Sequence, residues 1–357
     1  MVPGEVEPIR LARPEVGPDE LAAVAAVIES GMLTMGPLLP EFERLLARVC
    51  EVSRALAVSS GTAALHLAVL ALGLDPGDEV LVPAYTFPAT ANVVALSGLR
   101  PVLVDVDPVS MNIDPSRVEL SARTRAIIPV HLFGRPCRIE ELPELPLVED
   151  AAGALGARRA GRACGSLGLM GCLSFHPRKI VSTAEGGAVT TDDEGIANAV
   201  SALRNHGWRS MAGADMPAPG LNYRLSEVHC ALGLGALGRL DELLGARARI
   251  AAAYAERLAH LPVRLPVADE GDVHGWQAYV IQLEPRDEVL ARLRSQGIEA
   301  QIGTYALPLL GAFREQGSFP GAEHAFRHAL ALPFHTRLSE SELDRVAEAL
   351  GSALAAH

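Results

Sequence analysis

One stretch of this chain gathers unusual chemistry: Ser174-Phe175-His176-Pro177-Arg178-Lys179, followed by Ile180-Val181-Ser182-Thr183-Ala184-Glu185-Gly186-Gly187. Of the 31 lysines and arginines, Lys179 is the single lysine. A guanidinium stays protonated and is a poor nucleophile, whereas an ammonium can lose its proton when its surroundings lower the pKa. A sole lysine between an apolar strand and a glycine turn is therefore a candidate for amine chemistry, above all a Schiff base with a carbonyl compound. The competing explanation is a compositional bias toward arginine from which one lysine survived by chance.

Three further groups of residues bear on that choice. Ser59-Ser60-Gly61-Thr62 stands between an apolar strand and a helix, where glycine lets the backbone approach a ligand and the helix N-terminus and hydroxyls offer donors to a phosphate. It has neither the lysine of a P-loop nor the GxGxxG spacing, and its hydroxyls also suit ordinary helix capping. Glu149-Asp150 closes the run Leu147-Val148, placing a carboxylate at the end of a strand, as a cleft residue or as a helix cap. Phe87, after Pro83-Ala84-Tyr85-Thr86, could stack on a flat ring or fill the core. Ser174 lies five residues before Lys179.

The elements that must position these groups alternate along the chain. Helical periodicity predicts helices over about 18–30 and 38–50, then strands at 55–58, 80–82, 102–104, 126–130 and 145–148, with helices from Ala63 to Leu72 and over 88–97. Two more strands, about 170–175 and 187–191, flank Lys179. Short apolar runs alternating with helices indicate a parallel sheet covered on both faces, and in such sheets ligands bind at the carboxyl ends of the strands. All four groups fall at such ends. A helix to about Arg204 precedes a Gly-, Pro- and Met-rich loop (207–220), and a long helical region runs from Leu225 to about Leu258. Beyond Leu261, one strand (Ala278 to Leu283) and helices near 287–296, 321–330 and 339–355 suggest a smaller C-terminal domain.

Bulk properties narrow the class. The chain has 357 residues, 49% hydrophobic and 21% charged, which describes an ordinary globular protein. A net charge of −12 argues against general binding to nucleic acid or an anionic membrane. The five cysteines (Cys50, Cys137, Cys164, Cys172 and Cys230) form no CxxC pair and read as reduced thiols rather than a zinc site. The N-terminus lacks a signal-peptide pattern, and the apolar stretch from Ala63 to Leu74 is too short to span a bilayer. A soluble cytoplasmic protein is expected.

A phosphate cradle, an aromatic, a carboxylate and one lysine are together what pyridoxal 5′-phosphate requires: an amine for its carbonyl and an acid to keep its ring nitrogen protonated, so that the ring is an electron sink. The chain resembles the DegT/DnrJ/EryC1/StrS family of sugar aminotransferases along nearly its whole length. The resemblance is carried by Ser60-Gly61-Thr62-Ala63-Ala64-Leu65, Pro83 to Phe87, Val104-Asp105-Val106-Asp107, Glu149-Asp150-Ala151-Ala152, Ser174-Phe175 with Lys179, Glu185-Gly186-Gly187, and Asn222-Tyr223-Arg224-Leu225-Ser226-Glu227.

That resemblance implies an α/β architecture of the type I aminotransferase fold: a mainly parallel seven-stranded sheet with helices on both faces (1–245) and a smaller α+β domain (246–357). It implies that Lys179 forms the Schiff base and moves the proton, that Asp150 pairs with the pyridine nitrogen, that Phe87 stacks on the ring, and that Ser60, Gly61, Thr62 and Ser174 hold the phosphate. Asn222 matches a residue that reaches the neighbouring subunit's cofactor, which implies a homodimer with shared active sites. The expected reaction moves an amino group from glutamate or glutamine to a keto sugar linked to a nucleotide. A same-fold enzyme acting on a cyclitol or other non-nucleotide ketone, and a non-catalytic regulatory protein, are the alternatives. Two departures fall where substrate should approach: Gly153 where the family often has Gln or His, and Pro308 in Tyr305-Ala306-Leu307-Pro308 where a histidine often follows. Arg178, Arg204, Arg209 and Arg224 are candidates to meet a diphosphate, with His176, His206 and Trp208 as further pocket candidates.

Overall fold

The structure, a computed structural model, describes residues 7–210 and 215–355. Seven strands form the central sheet: β1 (Arg54–Val58), β2 (Glu79–Pro83), β3 (Arg100–Val104), β4 (Thr124–Ile127), β5 (Val148–Asp150), β6 (Met170–Ser174) and β7 (Gly187–Thr191). One ladder runs β1-β7-β6-β5 and the other β3-β2-β4. Parallel bridges from Ile127 to Leu147 and from Val130 to Asp150 join the two into the order β1-β7-β6-β5-β4-β2-β3. Only β7 runs against its neighbours. Most of these strands are buried along nearly their whole length, which explains why they read as apolar runs without alternation.

Boundaries differ from expectation where local chemistry intervenes. Pro129 and Pro146 lack the N–H a ladder needs, so β4 stops at Ile127 and β5 begins only at Val148. Asp150 is thereby the last residue of its strand. The helix expected from Ala63 starts at Gly61, because the Ser60 hydroxyl accepts from Ala63 N–H at 3.0 Å and caps it. The helical region expected from Leu225 to Leu258 is two helices, Glu227–Gly238 and Leu240–Leu258. The break falls at Gly238-Arg239, where glycine is a poor helix former and the Arg239 side chain turns to Glu20 at 2.7 Å.

A second core forms on a smaller sheet, whose Val280, Ala329 and Ala331 also pack into the main core. Strands Tyr279–Gln282, Gln301–Ile302 and Ala329–Leu332 form a three-stranded antiparallel sheet. It packs with the helices Leu240–Leu258, Arg286–Ser295 and Glu340–Ala355 around Tyr254, Tyr279, Leu293 and Leu343. The expected extended lead-in joins this core: Ile9 is buried and exchanges backbone bonds of 2.9 Å with Gly297 and Glu299. We propose that the two units divide along the helix Leu240–Leu258, which contains the 245/246 boundary expected above. Among the described residues no helix is long and apolar enough to cross a membrane, and no cluster of His, Cys, Asp or Glu suits a metal ion. All five cysteines are buried and free.

Candidate active site

The carboxyl ends of β1, β5 and β6 open on one edge of the sheet, and Gly187 at the start of β7 sits between Ser174 and Val58. At that edge Gly61 meets Ser174 closely: a Cβ on Gly61 would lie 2.7 Å from Ser174 Cβ. A Cβ on Gly187 would lie 2.4 Å from the Ser60 carbonyl oxygen. Two glycines thus let the first turn of the helix Gly61–Ala71 settle against β6 and β7. That turn carries backbone N–H groups without helical acceptors, beside the hydroxyls of Ser60, Thr62 and Ser174. Thr62 is exposed and Ser60, Gly61 and Ser174 are half-buried, so the donors face an accessible edge.

Lys179 stands on a tightly stitched loop that leaves β6. Phe175 N–H donates to Gly186 at 2.8 Å, Thr183 N–H to Phe175 at 2.9 Å, and Lys179 N–H to His176 at 2.8 Å. The lysine shares a small cavity with Ala152, Gly153, Leu155, Ser174, Ile180, Val181 and Gln277. Burial holds its pKa below that of an ordinary lysine; the charge of Asp150 opposes this and that of Arg178 adds to it.

Asp150 is buried and fully engaged with this edge. Its Oδ2 accepts from Thr90 Oγ1 at 2.7 Å and its Oδ1 from Ala152 N–H at 3.2 Å. Thr90 Oγ1 also lies 3.1 Å from Thr86 Oγ1. The Thr90 hydroxyl has one proton, and the carboxylate is the strongest acceptor in reach, so Thr86 donates to Thr90 and Thr90 to Asp150. Burial raises the Asp150 pKa, against the hydrogen bond from Thr90 and the nearby charge of Lys179. Neither threonine was expected at the site. Their signal was the i, i+4 spacing of Thr86 and Thr90 astride Phe87, at the start of the helix Ala89–Leu96.

Glu149, next to Asp150, points the other way and serves the scaffold. Its carboxylate accepts from Gly165, Leu167 and Gly168 N–H at 2.7–2.8 Å and from His131 Nε2 at 2.8 Å. Burial and the neighbouring charge pull the His131 imidazole in opposite directions. Cys137 N–H donates to His131 Nδ1 at 2.9 Å, so that nitrogen carries no proton and the ring stays neutral.

Phe87 is 62% exposed, with its ring edge-on to Tyr305 at 6.3 Å. Tyr305-Ala306 pairs with Tyr85-Thr86, and Ala306 and Leu307 pack into the core of the large sheet. The segment containing the Pro308 departure is thus tied to the strand that carries Phe87. Asn222 is exposed and bridges Asn205 through backbone, without a side-chain contact to this cluster among the described residues. Of the arginines, Arg204 is committed to Glu43 and to the Ala57 carbonyl (2.7 Å), and Arg224 to Asn205 at 2.6 Å. Arg204 is thereby tied to the scaffold, and Arg224 spends one donor on Asn205. Arg178 donates to Gln301 at 2.7 Å, while Arg209 and His206 are exposed. Burial keeps the half-buried His176 below the usual imidazole pKa.

The residues present fit pyridoxal 5′-phosphate. A helix N-terminus with glycine clearance suits the phosphate, a buried carboxylate with two donors already in place can meet a protonated ring nitrogen, and an amine of lowered pKa stands nearby.

Fold and donor set together define a pyridoxal-phosphate-dependent aminotransferase. The chain belongs to the DegT/DnrJ/EryC1/StrS aminotransferase family, whose model matches residues 14–351. Among solved structures it is similar to DesV of S. venezuelae in complex with a ketimine intermediate, at 37% identity over 93% of each chain and a TM-score of 0.88. It is similar to DesI in the presence of its TDP-sugar product, at 33% identity over 98% of this chain and 94% of that one, with a TM-score of 0.91. The sugar aminotransferase Spr1654 of Streptococcus pneumoniae in its PMP form matches at 28% identity over 98% of each chain, with a TM-score of 0.93.

Proposed function

We propose that this enzyme transfers an amino group from glutamate or glutamine to a keto sugar carried on a nucleoside diphosphate. The observation that carries the reading is a single lysine of lowered pKa sharing one sheet edge with the buried Asp150–Thr90 pair and the Ser60–Thr62 helix start. The similarity to DesI, solved with a TDP-sugar, supports a nucleotide-linked acceptor. The same reading includes a homodimer, in which the exposed Asn222 serves the neighbouring subunit's site, and a cytoplasmic setting.

Bound pyridoxal 5′-phosphate supplies a carbonyl carbon for amines and a ring that withdraws electrons from the substrate carbon. The chain's residues do the rest. Lys179 would hold the cofactor through its Nζ, whose pKa burial lowers, and would carry the proton to and from the substrate carbon. Asp150 would meet the ring nitrogen and hold its proton, and the bonds from Thr90 and Ala152 N–H aim the carboxylate and favour its charged form against burial. Ser60, Gly61, Thr62 and Ser174 would anchor the phosphate, and Phe87 would stack on the ring. The donor leaves as its 2-oxo acid, so the exchange of amine for oxygen needs no external oxidant.

The test is spectroscopic. Purified protein supplied with pyridoxal phosphate should absorb in the visible, and borohydride should fix the cofactor on Lys179. Glutamate should bleach the band and a nucleotide-linked keto sugar restore it. A colourless protein without an adduct at Lys179 defeats the reading; restoration by free ketones but by none of the nucleotide sugars defeats its acceptor.

A further inference from the structure

A cavity of about 460 Å³ lies where the lead-in meets the second core, and Arg178 and Arg294 both line it. Leu11, Ile298, Glu299 and Gln301 are among its other walls. The volume falls within the range of about 300–1,000 Å³ that small-molecule sites occupy. The lead-in is fixed along it, because Leu11 N–H donates to Glu299 Oε2 at 2.9 Å beside the backbone bonds of Ile9.

The two guanidiniums are unusually placed. Arg135, Arg159, Arg204 and Arg257 are each paired with a carboxylate, but neither Arg178 nor Arg294 has such a partner among the described residues. Each is oriented by a neutral acceptor instead. Arg178 Nη1 donates to Gln301 Oε1 at 2.7 Å, and Arg294 Nε to the Ala300 carbonyl at 3.0 Å. Those bonds leave Nη2 of Arg178 and both terminal nitrogens of Arg294 to donate, in the planar geometry that suits a carboxylate or a phosphate. Glu299, the one carboxylate on the lining, already accepts from Leu11. Two cations thus face one engaged carboxylate, in a chain of net charge −12.

A simpler account exists for Arg294 alone. It stands in the last turn of the helix Arg286–Ser295, where any cation favours the helix dipole. That account needs only charge, and it leaves unexplained why Arg178, from the loop after β6, lines the same cavity. Arg178 immediately precedes Lys179, and its carbonyl accepts from Gln277 Nε2 at 3.2 Å. Gln277 in turn lines the cavity that contains Lys179. Adjacent residues of one turn therefore line the two cavities, and a molecule gripped at Arg178 has its anchor one residue from the amine.

Resting on the functional reading above, we propose that Arg178 and Arg294 form a subsite for the oxyanion of a reactant, a carboxylate or a phosphate, that is held while its other end meets Lys179. Two reactants carry that chemistry: the amino donor through a carboxylate, and the acceptor through its diphosphate.

The experiment uses the whole protein loaded with pyridoxal phosphate and titrated in a calorimeter. One probe is glutarate, a dicarboxylate with no amine to transfer, and the other is pyrophosphate. Wild type should bind at least one of them, and more weakly as salt rises, because both arginines are exposed. Arg294→Gln and Arg178→Gln should each weaken that binding about 10- to 100-fold, the value of a charged hydrogen bond. Arg294→Lys should recover only part of the loss, since an ammonium lacks the fork. Arg292→Gln, two residues away on the same helix and off the cavity, should match wild type. Kinetics of Arg294→Gln then name the reactant. A higher KM for glutamate with kcat held assigns the subsite to the donor, and a higher KM for the nucleotide-linked keto sugar assigns it to the acceptor. Wild type that binds neither probe, glutamine variants that bind as wild type does, or lost probe binding with both KM values unchanged overturns the proposal. Wild-type protein that forms no visible band and no borohydride adduct overturns the functional reading instead.

Discussion

Thr90 Oγ1 donates to Asp150 Oδ2 across 2.7 Å, joining the first turn of the helix Ala89–Leu96 to the last residue of β5. A hydrogen bond to a charged group is worth about 1.5–3 kcal/mol. Thr90→Val keeps the shape and removes the donor, so cofactor affinity or kcat/KM should fall about 10- to 100-fold, with Thr90→Ser close to wild type. Steady-state kinetics across the three proteins checks this; a Val variant equal to wild type would remove Thr90 from the site.

Lys179→Ala should retain the phosphate donors and Asp150, and so bind cofactor, while losing at least about a thousandfold in transfer. Lys179→Arg should be as inactive, because a guanidinium does not shed its proton. Mass analysis after borohydride treatment should find no adduct in either. Transfer at wild-type rate by the arginine variant would place the amine chemistry elsewhere.

Burial raises the folded-state pKa of Asp150 above its unfolded value of about 3.8. Its contribution to stability is therefore full below that pH and is lost as pH rises through the folded value. Lys179 works in the opposite sense, with its contribution present above pH 10.5 and lost as pH falls through its lowered value. For cofactor-free protein, Asp150→Asn removes the first dependence. The melting temperature of the variant relative to wild type should rise as pH climbs from 3.8 toward neutrality, while transfer activity is abolished. A flat or falling difference would show that Thr90 and Ala152 N–H fully offset the burial of the charge.

Gly187→Ala places a methyl group 2.4 Å from the Ser60 carbonyl oxygen and 2.7 Å from Gly61 N, and backbone atoms cannot swing away. Overpacking of this kind costs about 1–3 kcal/mol. Because the displaced atoms begin the phosphate-facing helix turn, cofactor affinity should fall along with the melting temperature. A variant that melts lower yet binds cofactor normally would separate this contact from the site.

Glu149→Gln replaces an acceptor of four hydrogen bonds with an amide that must turn an N–H toward at least one of the same donors. Leaving a buried donor without its acceptor costs about 1–3 kcal/mol. Denaturant unfolding should show this loss; a change under 1 kcal/mol would mean the loop Gly165–Gly168 is held by other means.

Much of the catalytic logic is local and therefore legible in the chain itself. The sole lysine, the Ser60-Gly61-Thr62 helix start, and the alternation of apolar runs with helices depend on residues near one another, so periodicity and residue type suffice to predict the strands of the sheet and to single out candidates. Proline chemistry is also local: the missing N–H groups at 129 and 146 move two strand boundaries from where the apolar runs predict them. The helical region expected from Leu225 to Leu258 is helical, but Gly238-Arg239 divides it into two helices.

What residue order alone determined is the identity of the groups: one amine, one carboxylate at a strand end, hydroxyls at a helix start. What only the tertiary structure decided is their company. Thr90 meets Asp150 across 60 positions, Glu149 turns away to His131, Arg204 is spent on Glu43, and Gln277 comes up against Gly153 from 124 positions away. Such pairings are set by how strands and cores pack in three dimensions, and no periodicity along the chain records them.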